Sequence, residues 1–121
     1  MIRDFDLIRK ILLEVESAPS GVSPIPVECG GEYPKPVINE HLSLLIDAGL
    51  LEGKPLRSTT GIATVAIQGL TWEGHDFIQA AGKEVIWKKA FEIVKEKGGA
   101  ITFEVLKGLV KSLALKAAGL P

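Results

Sequence analysis

The chain has 121 residues, 46% of them hydrophobic, one cysteine and a formal net charge of −1. That length allows one domain with a single core, and a lone Cys29 excludes an internal disulfide and fits a reducing, cytoplasmic setting. No run approaches the ~18 apolar residues of a membrane span, and "MIRDFDLIRK" carries charges of both signs with no small-residue cleavage site, unlike a signal peptide.

The first helix is expected over about Asp4–Glu16, where Ile8, Ile11, Leu12 and Val15 recur on one stripe. Asp4 or Asp6 suits its start, as a cap and as a charge at the positive end of the dipole. "SAPSGVSP" then stops it. "PIPVE" reads as a short extended piece that its prolines confine to an edge. "ECGGEYPKP" is the least regular stretch and reads as a loop.

A second helix follows from about Pro36, a residue suited to the first helical position, and Gly49 ends it as a left-handed cap. Its apolar face holds Ile38, Leu42 and Leu45, with Val37, His41, Leu44 and Ala48 alongside. Asn39, Glu40, Ser43 and Asp47 are expected opposite, in water. "LLEGKPLRSTTGIATVAIQGL" reads as strand, turn, strand, with "KPLRSTTG" as the turn. Ala63, Val65 and Ile67 alternate with Thr64, Ala66 and Gln68, as in a half-buried strand.

Thr71 caps a third, short helix that ends near Gly82, with Leu70 ahead as a staple. In "GLTWEGHDFI", Trp72 and Phe77 are expected to pack the hairpin against the first helix, and Gly74 to allow a close backbone approach. A fourth helix over about Glu84–Lys97 buries Trp87, Ala90, Phe91 and Val94 and stops at Gly98 and Gly99. A fifth, over about Phe103–Ala118, is capped by Thr102 and buries Leu106, Leu109, Val110 and Leu113. The fold class is mainly α with a small β-hairpin wing. Residues 1–82 form a winged helix-turn-helix domain, and residues 83–121 add a helical pair on the same core.

Four blocks in this order, "RDFDLIRKILLEVE", "INEHLSLLIDAGLLEG", "LTWEGHDFI" and "WKKAFEIVKEKGGAITFEVLKGL", resemble an uncharacterised bacterial and phage family of unknown function. The resemblance implies a winged-helix fold and a phage or prophage setting, and brings no catalytic residues. "HLSLLIDAGLLEG" followed by "LTWEGHDFI" also looks like the recognition helix, wing and following helix of bacterial regulators. The departure is "VECGGEYPKP", which stands where a helix-turn-helix has its positioning helix.

Catalytic chemistry finds little footing. His75 and Asp76 are neighbours, and consecutive helical residues diverge by about 100°, so they form no aligned dyad. His41 is the other histidine, and Cys29 stands alone, too few ligands for the usual zinc spacings. Glu28 and Glu32 around Cys29 oppose a thiolate. The paired glycines at 30–31 and 98–99 lack the spacing of a phosphate-binding loop. Glu104 and the other carboxylates show no pairing suited to acid–base work. No enzyme, metal or cofactor is therefore expected.

Charge shapes the choice of partner. Residues 1–82 hold six basic and eleven acidic side chains, a sum of −5, and residues 83–121 hold eight lysines and four glutamates, a sum of +4. For DNA, Asn39 would read adenine and Ser43 would touch phosphate, with Lys35 before the helix and Lys54, Arg57, Ser58 and Thr59 in the wing. Glu40 and Asp47 would face the same polyanion as like charges. A protein partner bound at Asn39, Glu40, Ser43 and Asp47 is therefore favoured, with an operator DNA as the alternative. A phage-type accessory protein that modulates a host or defence protein fits this reading. A mean hydropathy of +0.25 also suggests covered apolar surface, through a partner or a second copy joined at Leu113, Leu115 and Leu120. The alternative for those leucines is cover for the first helix. Lys88, Lys89, Lys95, Lys107 and Lys111 read either as a binding face or as a solvated one with local pairs such as Lys88–Glu92.

Overall fold

The computed structural model describes residues 3–97 and 102–120. The elements run α1 (Phe5–Glu16), a 3-10 turn (Cys29–Gly31), α2 (Lys35–Asp47), β1 (Leu51–Ser58), β2 (Gly61–Leu70), α3 (Trp72–Ala81), α4 (Glu84–Glu96) and α5 (Phe103–Ala117). The chain is mainly helical with one antiparallel hairpin, as its periodicity suggests. Gly98 and Gly99, the expected stop of α4, lie outside the described residues. The chain forms two compact units, Met1–His75 and Asp76–Pro121.

In the first unit, α1 starts where its cap dictates. The Asp4 carboxylate accepts the Leu7 N–H at 3.1 Å, satisfying a donor that the first turn leaves without a helical partner. Leu7, Ile8, Ile11, Leu12 and Val15 are buried on one stripe. Each such side chain contributes about 1.5–3 kcal/mol when fully buried. The stripe faces α2 and β2.

α2 ends as the sequence requires. Gly49 takes φ +81°, and the Leu50 N–H reaches back to the Leu45 carbonyl at 3.0 Å. This left-handed closure turns Leu50 inward, where it is fully buried. The Leu50 carbonyl accepts the Thr71 N–H at 3.1 Å. The Thr71 hydroxyl donates to the Gly49 carbonyl at 2.6 Å and accepts the Gly74 N–H at 3.0 Å. One threonine thus caps α3 and ties it to the end of α2. Gly74 lies against the Leu50 carbonyl oxygen, and a Cβ there would collide with it.

The hairpin is longer than expected. β1 runs through Ser58, so Lys54, Pro55, Leu56 and Arg57 belong to a strand and only Thr59 and Thr60 turn. Pro55 is tolerated because β1 is an edge strand of a two-stranded sheet. The pairing runs from Leu51 opposite Leu70 to Ser58 opposite Gly61, with irregularities at Glu52/Gly53 and Leu56/Arg57. The extended "PIPVE" piece is joined to the hairpin by the Ile25 N–H, which donates to the Ile67 carbonyl at 2.8 Å. Pro26, next in the chain, has no N–H to continue the ladder.

In the second unit, α4 buries Ile86, Trp87, Ala90 and Val94, and α5 buries Leu106 and Val110. Thr102 caps α5 by accepting the Val105 N–H at 3.3 Å. Phe77 meets Phe103 at 5.4 Å between ring centroids, and Trp87 meets Phe91 at 4.8 Å. Phe91, Leu109 and Leu113, expected in the core, are only half-buried. α4 and α5 pack on each other, and each spends one stripe on that contact, so flanking positions stay partly open.

Candidate functional site

The expected partner face of α2 divides in two. Asn39 and Ser43 are buried, at 5% and 7% exposure, which corrects their placement in water. The cause is that α2 packs against α1, β1 and β2 together. At about 100° per residue, the buried residues Ile38, Asn39, His41, Leu42, Ser43 and Leu45 cover roughly 200° of the circumference. Glu40 and Asp47 remain exposed. Seven residues apart on a helix, they lie about 20° apart around the axis and about 10 Å along it. The open strip of α2 is therefore narrow and anionic, and the two side chains that would read or touch DNA are inside.

The wing residues Lys54, Arg57, Ser58 and Thr59 are exposed. Ser58 also closes the turn: its hydroxyl lies 3.1 Å from the Thr60 hydroxyl and donates to the Gly61 carbonyl at 3.3 Å.

The segment before α2 is a loop fastened to α1. The Glu14 carboxylate accepts the Glu28 N–H at 3.0 Å and the Cys29 N–H at 2.9 Å. Cys29 itself adopts φ +52°, a left-handed conformation rare for a side-chain-bearing residue. Lys10 pairs with Glu32 at 2.9 Å and lies 5.5 Å from the Tyr33 ring centroid, and the Glu32 hydrogen bond raises the Lys10 pKa. Glu14 and Lys10 thus anchor, by two carboxylate bonds and one ion pair, the stretch where a helix-turn-helix would carry a helix. The sequence gives no signal for Glu14, whose partners are 14 and 15 residues away.

The remaining candidates resolve into structure. His41 is fully buried. Its Nε2 accepts the Asp4 N–H at 2.9 Å, and its Nδ1 lies 2.8 Å from the Val37 carbonyl. That pattern assigns the proton to Nδ1 and uses both ring nitrogens to join α2 to the start of α1. His75 is exposed. Among the described residues no group of three or more His, Cys, Asp or Glu is placed to hold a metal ion. Burial, reinforced by the adjacent Glu14 carboxylate, pushes the Cys29 thiol up to about 11, which holds it protonated and unreactive near neutral pH.

Trp72 overturns its expected packing role, with 84% exposure. It is the first residue of α3, and a helical side chain leans over the turn before its own Cα. At this position that turn is the cap, so no earlier helical turn lies beneath the side chain. Leu56 is exposed on β1, as are Leu115 and Leu120 near the C-terminal end, at 37% and 54%. Among the C-terminal lysines, Lys107 pairs with Glu104 at 3.5 Å; among the described residues no ion pair joins Lys88 to Glu92, whose side chains are exposed. No described helix is long and apolar enough to cross a membrane.

Fold and surface together define a mainly helical protein with a β-hairpin and an acidic, exposed helix strip. Residues 2–100 match the family described as hypothetical protein (DUF2513), and the chain belongs to that family. It is similar to an uncharacterized protein of Haemophilus influenzae strain Rd, 26% identical over 113 residues, which cover 93% of this chain and 95% of that protein. No solved structure matches the chain significantly.

Proposed function

We propose that the chain is a non-enzymatic interaction module of the winged-helix type that binds a protein partner through the exposed strip of α2. The order α2, β1, β2, α3 is that of a recognition helix, a wing and the helix after it. The observation that carries the reading is the burial of Asn39 and Ser43 beside the exposure of Glu40 and Asp47. A strip of two carboxylates repels a phosphate backbone and complements a basic protein surface. Such a surface suits a phage-type accessory protein that occupies a nucleic-acid-like site on a host or defence protein. Capture from nuclease-treated host lysate tests it: the bound protein is lost when Glu40→Lys and Asp47→Lys are combined, and retention by that variant sinks the reading.

Exposed Lys54 and Arg57 on β1 favour the alternative, a DNA-binding regulator that reaches phosphate through its wing. On that reading a mobility shift with duplex DNA at low salt disappears in the Lys54→Glu plus Arg57→Glu variant.

A further inference from the structure

The least explained side chain of the first unit is Trp72. An indole left 84% exposed gains none of the burial that ordinarily justifies a tryptophan. Its surroundings are defined by backbone contacts. Thr71, its neighbour, is bonded to Gly49 and Leu50 at the end of α2, and Leu70 pairs with Leu51 at the start of β1. Three chain segments therefore converge at Thr71, the residue before Trp72: the last turn of α2, the first residues of β1 and the first turn of α3. Each contributes an exposed carboxylate, respectively Asp47, Glu52 and Glu73. Segments 42–53 and 68–76 contain no lysine or arginine.

We propose that Trp72 is the anchor of the partner surface, and that it takes an arginine-bearing segment of a protein, with the guanidinium stacked on the indole and the carboxylates of Asp47, Glu52 and Glu73 around it. This inference rests on the protein-binding reading of α2 and adds the chemistry of the partner. A cation over an indole face is attracted by the ring quadrupole, and arginine adds planar stacking and bidentate pairing that lysine lacks. Exposed tryptophan and arginine are also the residues most enriched among interface hot spots. A single-stranded nucleic acid also stacks on exposed aromatic rings, but its phosphates would meet three carboxylates and no cation in these segments.

The test uses the full chain and a short arginine–glycine repeat peptide at low salt, followed by calorimetry and tryptophan emission. The peptide is expected to bind saturably, and more weakly as salt is raised. Affinity falls tenfold or more in Trp72→Ala, stays within about threefold in Trp72→Phe, and falls again in Glu52→Gln plus Glu73→Gln. A lysine–glycine peptide binds more weakly. Unchanged affinity in Trp72→Ala, absence of saturable binding, or tighter binding of oligothymidine than of the arginine peptide overturns the proposal. The Glu40→Lys plus Asp47→Lys variant keeps the two ideas separable. If it abolishes partner capture while Trp72→Ala does not, the anchor is wrong and the protein-binding reading stands.

Discussion

Gly74 and Gly108 are both helical glycines, and the structure assigns opposite signs to the same substitution at them. In an exposed helix interior Gly→Ala is worth about 0.5–1 kcal/mol of stabilisation. At Gly108 a Cβ meets nothing within 4 Å, so the full gain is expected. At Gly74 the Cβ is driven into the Leu50 carbonyl oxygen, which is backbone and is already held by the Thr71 N–H. Relief requires α3 to move off the end of α2. That strains a packed contact by about 1–3 kcal/mol and weakens the Thr71 bonds, each worth about 1 kcal/mol. Against the propensity gain, the net loss is about 2–3 kcal/mol. Thermal unfolding followed by far-UV circular dichroism reads both variants, with a shift of roughly 2–6 °C in Tm per kcal/mol for a chain of this size. A Gly74→Ala protein as stable as the parent would refute the packing of α3 on the Leu50 carbonyl, and with it the convergence of segments around Trp72.

Four further outcomes follow from the first unit and the tryptophans. Glu14→Gln loses the charge that holds the Glu28 and Cys29 amides and costs about 1.5–3 kcal/mol, and it speeds hydrogen exchange at those two amides without changing exchange in α4. Cys29 alkylation by iodoacetamide is about 100-fold slower than that of an ordinary thiol at pH 8, its rate rises with pH toward about 11, and unfolding removes the protection. Because the folded thiol keeps its proton above the ordinary value of 9.0, stability declines as pH rises past about 9, and stability that stays constant from about pH 9 to about pH 11 would contradict this. Trp72→Ala changes stability by less than about 0.5 kcal/mol, whereas Trp87→Ala, at 5% exposure, costs about 3–5 kcal/mol.

Local rules made much of the fold legible. The apolar spacing of α1, the Gly49 cap and the Thr71 cap each depend on residues within a few positions of one another, and each lies where the sequence puts it. The structure departs from the sequence pattern where a second contact decides the outcome. Asn39 and Ser43 are polar residues of α2, and only the simultaneous packing of α1 and the hairpin encloses them. The strand character of Lys54–Arg57 was hidden by Pro55, which an edge strand accepts. Trp72 has the composition of a core residue but the position of a helix start, and position prevails. Glu14 was invisible because its acceptor role is set by a loop conformation distant in sequence. Of the candidate site, the charge of Glu40 and Asp47 was readable; which neighbours share the surface with them was not.

The central claim is that the open strip of α2 turns away a polyanion. The most direct measurement is the affinity of the intact chain for duplex DNA from its own genomic neighbourhood at physiological ionic strength. Binding no tighter than the ~10⁻⁴–10⁻⁶ M typical of non-specific contacts is expected. A sequence-dependent affinity of about 10⁻⁸ M or tighter, lost in the Lys54→Glu plus Arg57→Glu variant, would contradict it.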